Sequence, residues 1–182
     1  MKKEKFDDSV YVHPTAVCTG NVSVGKGSSL WPHSVLRGDY GAVTVGENTS
    51  IQDTCVLHGS PDSPVKVGNY VTVTHGAVLH GCTIEDDCMI GVNAVVLDGA
   101  VIGKGSIVGN LTVVKVGEQV PPGSIVAGIP GVVKPGKPGQ TETLHQVAIS
   151  YTINAKNYIA GKDTISKAEM SAAMEAAKSK KE

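Results

Sequence analysis

Aliphatic residues recur every six positions along most of this chain, and that period decides what it can fold into. The anchors run Val12, Cys18, Val24, Leu30 and Leu36, then after a short insertion Val45, Ile51 and Leu57, then after another Val67, Val73 and Leu79. One residue is dropped, and the series continues through Ile84, Ile90, Val96, Ile102, Val108, Val114, Val120, Val126 and Val132. A period of six fits neither a 3.6-residue helix nor simple strand alternation. It fits a short strand and a tight turn, repeated, with three such units closing a triangle that forms one coil of a parallel β-helix. Four positions after the anchor the residue is usually small, as at Ala16, Ser28, Cys55, Ala77, Cys88 and Ala94. Anchor and small residue point inward, and glycine or asparagine turns the corner. Stacked coils pair their strands at about 4.8 Å.

Composition agrees with a narrow interior. The 182 residues suffice for one domain with a real core. Hydrophobic residues make up 41% but aromatic ones only 4%, and valine alone occurs 27 times. Such a core suits strands and leaves no room for rings. A net charge of −1 provides no field to hold a phosphate backbone, so no nucleic acid is expected as a partner. No apolar run approaches the ~20 residues of a membrane span. Residues 1–8 are charged and lack an apolar stretch, so no signal peptide is expected. The four cysteines form no CxxC pair, and the expected location is the cytoplasm. Cys18 stands at an anchor and Cys55 and Cys88 at small positions, which predicts core filler, while Cys82 fits no position in the repeat. Gly25-Lys26-Gly27 and Gly103-Lys104-Gly105 fall at corners with no helix after them, so they are not dinucleotide fingerprints.

The pattern stops near Val133. The expected organisation is a β-helix over 10–135, a breaker-rich link at 134–139 and a C-terminal helical segment over 140–182. Leu144, Val147, Ala148, Tyr151, Ala155, Tyr158 and Ile159 predict an amphipathic helix along a solenoid face or an interface. Ser166 and Glu169 form a capping-box pattern that opens a second, alanine-rich helix running to about Lys178.

Six histidines occur, and three of them fall together. Counting three hexads per coil puts the hexads of Leu36, Leu57 and Leu79 on one face of consecutive coils. The residue after each anchor is then Arg37, His58 or His80, and these stack in one outward column. Two imidazoles one rung apart can converge on a cation at ~2.1 Å each. His75 lies two residues past Val73 on the adjoining face. Three neutral imidazoles without a fourth protein ligand match a catalytic metal site whose open position holds water. His13, His33 and His145 lack such company and are expected on the surface or in packing. Asp86 and Asp87 form a corner pair expected to be solvated.

Leu36-Arg37-Gly38-Asp39, Ile51-Gln52-Asp53, Val56-Leu57-His58, Val73-Thr74-His75-Gly76, Leu79-His80-Gly81, Ile90-Gly91-Val92-Asn93 and Pro121-Pro122-Gly123-Ser124 together resemble the gamma-class carbonic anhydrases. The closer likeness is to that class's short-loop archaeal and bacterial branch, over about residues 10–135. The resemblance implies an all-β solenoid, a left-handed parallel β-helix of hexapeptide repeats with C-terminal α-helices. It implies a homotrimer with metal at the subunit interfaces, two of His58, His75 and His80 coming from one chain and the third from its neighbour. It implies a salt bridge from Arg37 to Asp39 across that interface, Gln52 as the catalytic hydrogen-bonding partner of the water at the metal, and Asp53 holding Gln52 or Arg37. The implied activity is reversible hydration of CO2 to bicarbonate with Zn2+, and Fe2+ or Co2+ would satisfy the same imidazoles.

The chain departs from the family's founding type around the site. The segment between His58 and Val67 is short and carries one carboxylate, Asp62, where that type has a long acidic loop with a glutamate proton shuttle. Ser50 stands for an asparagine and Tyr40 for an acid, so export of the proton is the step these departures affect. Two other readings stay open: a hexapeptide acyl-CoA transferase on the same fold, and a noncatalytic homologue that keeps the metal to hold a scaffold together.

Overall fold

The computed structural model describes residues 6–178. The N-terminal residues 1–5 and the last residues of the 140–182 segment lie outside them. The chain winds into a left-handed parallel β-solenoid of about six turns, followed by two helices. Its first face stacks Tyr11–Val12, Ser29–Leu30, Ser50–Ile51, Thr72–Val73, Met89–Ile90, Ile107–Val108 and Ser124–Ala127 in parallel. The second face carries the leading halves of Val17–Val24 and Val35–Val45, then Val56–His58, Val78–His80, Val95–Val96 and Val113–Val114. The third carries the trailing halves of the two long strands, then Val65–Val67, Thr83–Ile84, Val101–Ile102 and Gln119–Val120.

The anchors do what the repeat demands. Leu30, Leu36, Ile51, Leu57, Val73, Leu79, Ile90, Val96, Ile102, Val108 and Val126 are fully buried. They stack rung on rung, as in Leu36 over Leu57 over Leu79 over Val96. The small positions Ser28, Ser34, Cys55, Ala77, Ala94, Ala100 and Ser106 are buried beside them. The two outermost anchors differ. Val12 lies at the first coil's edge and is 37% exposed, and Val132 is 56% exposed. Val132 belongs to Val132–Pro135, which turns back and pairs antiparallel with Ser124–Ala127, so the repeat ends at Val126. This reversed strand covers the edge that a parallel stack would leave open.

Cys82 has a place after all. It is 1% exposed and immediately precedes Thr83–Ile84, as Cys55 precedes Val56–His58 and Cys88 precedes Met89–Ile90. It is the small residue of its hexad, displaced because the corner after His80 is one residue short.

Helix α1 (Gln140–Ile159) lies against the first face. Its buried side is Gln140, Leu144, Ala148, Thr152 and Ala155, spaced three or four residues apart. Gln140 Nε2 donates to the carbonyls of Gly105 and Ser124, and Tyr151 and Tyr158 reach Trp31 at ring separations of 6.4 and 5.1 Å. Tyr11, Trp31, Tyr151 and Tyr158 thus gather outside the solenoid, under the helix. Trp31 Nε1 donates to Ser29 Oγ and Ser50 Oγ, so Ser50 is used by packing. His145 sits on α1, bonded through Nδ1 to Asp87 at 2.7 Å with Tyr70 against its ring. Asp87 is therefore a buried anchor for the helix, also 3.4 Å from Lys104 Nζ, and the expectation of a solvated pair fails there. Helix α2 (Lys167–Lys178) opens on the anticipated box, with Ser166 N donating to Glu169 Oε2 and Glu169 N to Ser166 Oγ. Among the described residues no helix is long and apolar enough to cross a membrane.

Burial pushes the thiols of Cys55, Cys82 and Cys88 up to about 12. At neutral pH all three should resist alkylation in the folded protein and react once it is unfolded. Rapid native labelling of any one, read by mass spectrometry, would contradict this packing.

Candidate metal centre

The second face delivers the expected column. Arg37 pairs with His58, and His58 with His80, on successive rungs of one parallel ladder. Two residues earlier on each strand a second outward column runs Val17, Val35, Val56, Val78, Val95 and Val113. An unbroken apolar stripe therefore borders the histidines.

The two insertions meet beside them. Val35–Val45 is eleven residues long, because Asp39–Ala42 bulges from the ladder opposite Asn21. The chain after His58 folds over it, with Gly41 bridged to Gly59 and Ser60 to Ser63. A side chain at Gly38 would bring a Cβ 2.3 Å from the carbonyl oxygen of Asn21, so the middle residue of the Arg-Gly-Asp run has to be glycine. This bulge turns Asp39 back toward the column. Its carboxylate accepts from Arg37 Nη1, from the Tyr40 amide and from His58 Nε2 at 2.9 Å. Arg37 and Asp39 thus form an ion pair inside one chain.

Each of the three histidines has one ring nitrogen on a carboxylate. His58 Nε2 is on Asp39, His75 Nδ1 on Asp53 Oδ2 at 2.9 Å, and His80 Nδ1 on Asp98 Oδ2 at 2.7 Å. Asp53 therefore holds His75, whereas the resemblance gave it Gln52 or Arg37. Asp98 is a residue that sequence reasoning did not single out. It is eighteen residues from His80, one coil onward, and that offset is the only signal that could have found it.

An ionised carboxylate only accepts, so the nitrogen facing it carries the proton and the other presents a lone pair. Burial raises the Asp39 carboxyl, but the Arg37 and His58 hydrogen bonds outweigh it and hold it below its ordinary range. The same balance, with His80 as the opposing partner, lowers Asp98. The nitrogens left over are His58 Nδ1 and His80 Nε2, and they face each other at 3.2 Å. Two lone pairs in opposition repel, so the gap between them suits a cation. Two bonds of ~2.1 Å at a tetrahedral angle separate their nitrogens by about 3.4 Å, close to the spacing found. The donor set suits zinc or another divalent transition ion.

His75 stands apart, on the corner between the first and second faces, with its side chain 55% exposed. Among the described residues no three His, Cys, Asp or Glu side chains of a single chain are grouped to hold a metal ion. Gln52 precedes Asp53 on that same corner. It is 1% exposed, and neither amide atom finds a hydrogen-bond partner within the chain. Tyr40 is 70% exposed, with its ring edge toward His58 at 6.2 Å.

The ladder of coils carries three His–carboxylate pairs and two facing imidazole nitrogens on an outward face of a hexapeptide-repeat protein. A family model, Bacterial transferase hexapeptide (six repeats), matches residues 81–115. A probable carbonic anhydrase of Methanocaldococcus jannaschii is 45% identical over 79% of this chain and 91% of its own length. The mitochondrial gamma carbonic anhydrase 2 of Arabidopsis thaliana is 38% identical over 87% of this chain, which spans only 57% of that longer relative. Among solved structures, a putative acetyltransferase of Bacillus cereus superposes with a TM-score of 0.85 at 33% identity, covering 88% of this chain and 94% of that one. The chain belongs to the gamma carbonic anhydrase family.

Because Arg37 and His58 hold Asp39 ionised, an Arg37→Ala change should move the Asp39 carboxyl midpoint up toward 3.8, read by carbon NMR titration. With its folded value depressed, Asp39 contributes stability above the unfolded value that is lost as pH falls through the lower folded one. The contribution is small, since the side chain is 42% exposed. An unmoved midpoint would mean that Arg37 is not the partner that matters.

Proposed function

We propose that the protein is a metal-dependent carbonic anhydrase that interconverts CO2 and bicarbonate. The observation that carries the reading is the apposition of two imidazole lone pairs, each aimed by a carboxylate on the far nitrogen. When bound, a divalent cation, in this reading Zn2+ with Fe2+ or Co2+ as substitutes, is the Lewis acid that brings the pKa of water to about 7. The chain's own residues do the rest. His58 and His80 offer two nitrogens from one chain. His75, exposed and fixed by Asp53, offers its free Nε2 to a second copy.

The apolar column from Val17 to Val113 supplies the surface on which that copy packs, and three copies close a ring with one shared site at each contact. Arg37 and Asp39 edge the site with a fixed ion pair, and Asp39 keeps His58 in the tautomer required. Gln52 cannot ionise, so it takes no proton. Its unpartnered amide can orient the attacking oxygen by a hydrogen bond. Cytoplasmic placement is part of the same reading, supported by the buried free thiols of Cys55, Cys82 and Cys88. The acyltransferase reading draws on the likeness to the putative acetyltransferase of Bacillus cereus.

Anaerobic purification, metal analysis and stopped-flow CO2 hydration on one sample test the proposal. A metal-replete protein without CO2 hydration would leave the scaffold reading, and a metal-free one that binds acyl-CoA would establish the acyltransferase. His75→Ala should lower metal occupancy and loosen the assembly together, since a bridging ligand links the two. Full occupancy with an unchanged trimer would refute the shared site.

Gln52→Ala should keep fold and metal while cutting CO2 hydration about 10–100-fold. Undiminished turnover in a metal-replete sample would reduce Gln52 to a corner residue.

A further inference from the structure

Asp98 lies on the second face's far corner, outside every motif that the resemblance supplied. Its Oδ2 takes His80 Nδ1–H at 2.7 Å, and its Oδ1 accepts from Ser60 Oγ at 3.3 Å. Ser60 comes from the second insertion, so the carboxylate ties that loop to the histidine column. The backbone is ruled to the same end, with Gly81 N donating to His58 O, Gly99 N to Gly81 O and Gly117 N to Asp98 O. The approach of the carboxylate depends on Gly81, where a Cβ would lie 2.4 Å from Asp98 Oδ1 and where φ is +56°. Glycine at this corner both accepts the backbone angle and leaves the space.

The His–Asp pair at His145 and Asp87 provides a contrast. There both side chains are about nine-tenths buried, Tyr70 covers the ring, and the pair fastens α1 to the solenoid. At His80 the pair is a third exposed and fastens no helix to the solenoid. What it determines is which nitrogen of His80 carries the proton.

We propose that Asp98 is a positioning residue for metal capture, which fixes His80 as the Nδ1–H tautomer so that Nε2 faces His58 Nδ1 with its lone pair. This rests on the metal-centre reading. Free imidazole side chains carry the proton mostly on Nε2, and in that form His80 would turn an N–H toward the ion. Asp98 removes the cost of switching tautomer before a metal can bind.

The test uses the full chain, stripped of metal by a chelator and labelled with nitrogen-15 at histidine. Long-range nitrogen–proton spectra are recorded well above the usual histidine pKa of about 6.5. The wild type should show His80 as the Nδ1–H form, and Asp98→Ala should return it to the Nε2–H form. Asp98→Asn retains an accepting oxygen at the same place and should preserve the Nδ1–H form, which separates positioning from charge. In a competition titration against a chromophoric chelator, Asp98→Ala should lose about 10–100-fold in Zn2+ affinity, with Asp98→Asn losing less. Melting of the three metal-free proteins identifies a variant that has merely failed to fold, and the Asn variant then decides. Wild-type His80 found as the Nε2–H form overturns the proposal. So does Zn2+ affinity that is the same in wild type and Asp98→Ala. A wild type that takes up no Zn2+ overturns the metal-centre reading instead.

Discussion

The rest of the structure depends on the parallel rung. Each short strand bonds to the strand one coil away in constant register, so a residue's position in its hexad fixes its neighbours above and below. That rule stacks Leu36, Leu57 and Leu79 inside and, one residue later, Arg37, His58 and His80 outside. A core of aliphatic rungs is rigid because every side chain is held between two others at strand spacing. The imidazoles inherit that rigidity. Their 3.2 Å separation follows from the register and from the carboxylates behind them.

The carboxylates obey the same rule, one coil further out. Asp53 stands beside the corner of His75, and Asp98 beside that of His80, each through the ladder. Asp39 is the exception, since no rung places it. A bulge of three extra residues brings it back onto the column, and the bulge is possible only because Gly38 leaves room against Asn21. The two insertions that interrupt the repeat therefore fall where the site is. Regular coils position the histidines, and irregular ones complete their surroundings.

How much of this was legible depended on whether the information lay in the period. The solenoid, the histidine column, the thiols at Cys55 and Cys88 and the capping box at Ser166 could be read because each is a local pattern or a fixed offset. Cys82 was missed because one deleted residue shifted its phase. Asp87 was misjudged because its partner, His145, lies fifty-eight residues away on a helix whose docking face carries no repeat. Asp98 was missed for a different reason. Its eighteen-residue offset from His80 is regular, but one aspartate at a corner looks like any other until the ring nitrogen it faces is known.

The packed interior also determines where chemistry can occur. Leu, Ile and Val anchors and small corner residues fill the triangle, and all but the end coils are closed to solvent. A substrate has only the outer faces, and one of those lies under α1. Of the two that remain, the second carries the valine column and the paired lone pairs. A flat face excludes little water by itself, and water competes for any cation placed there. A second copy against the valines would supply the missing wall and, with His75, the missing nitrogen. Assembly and metal binding would then be one equilibrium, which explains why a single solenoid carries every part of the site except its closure.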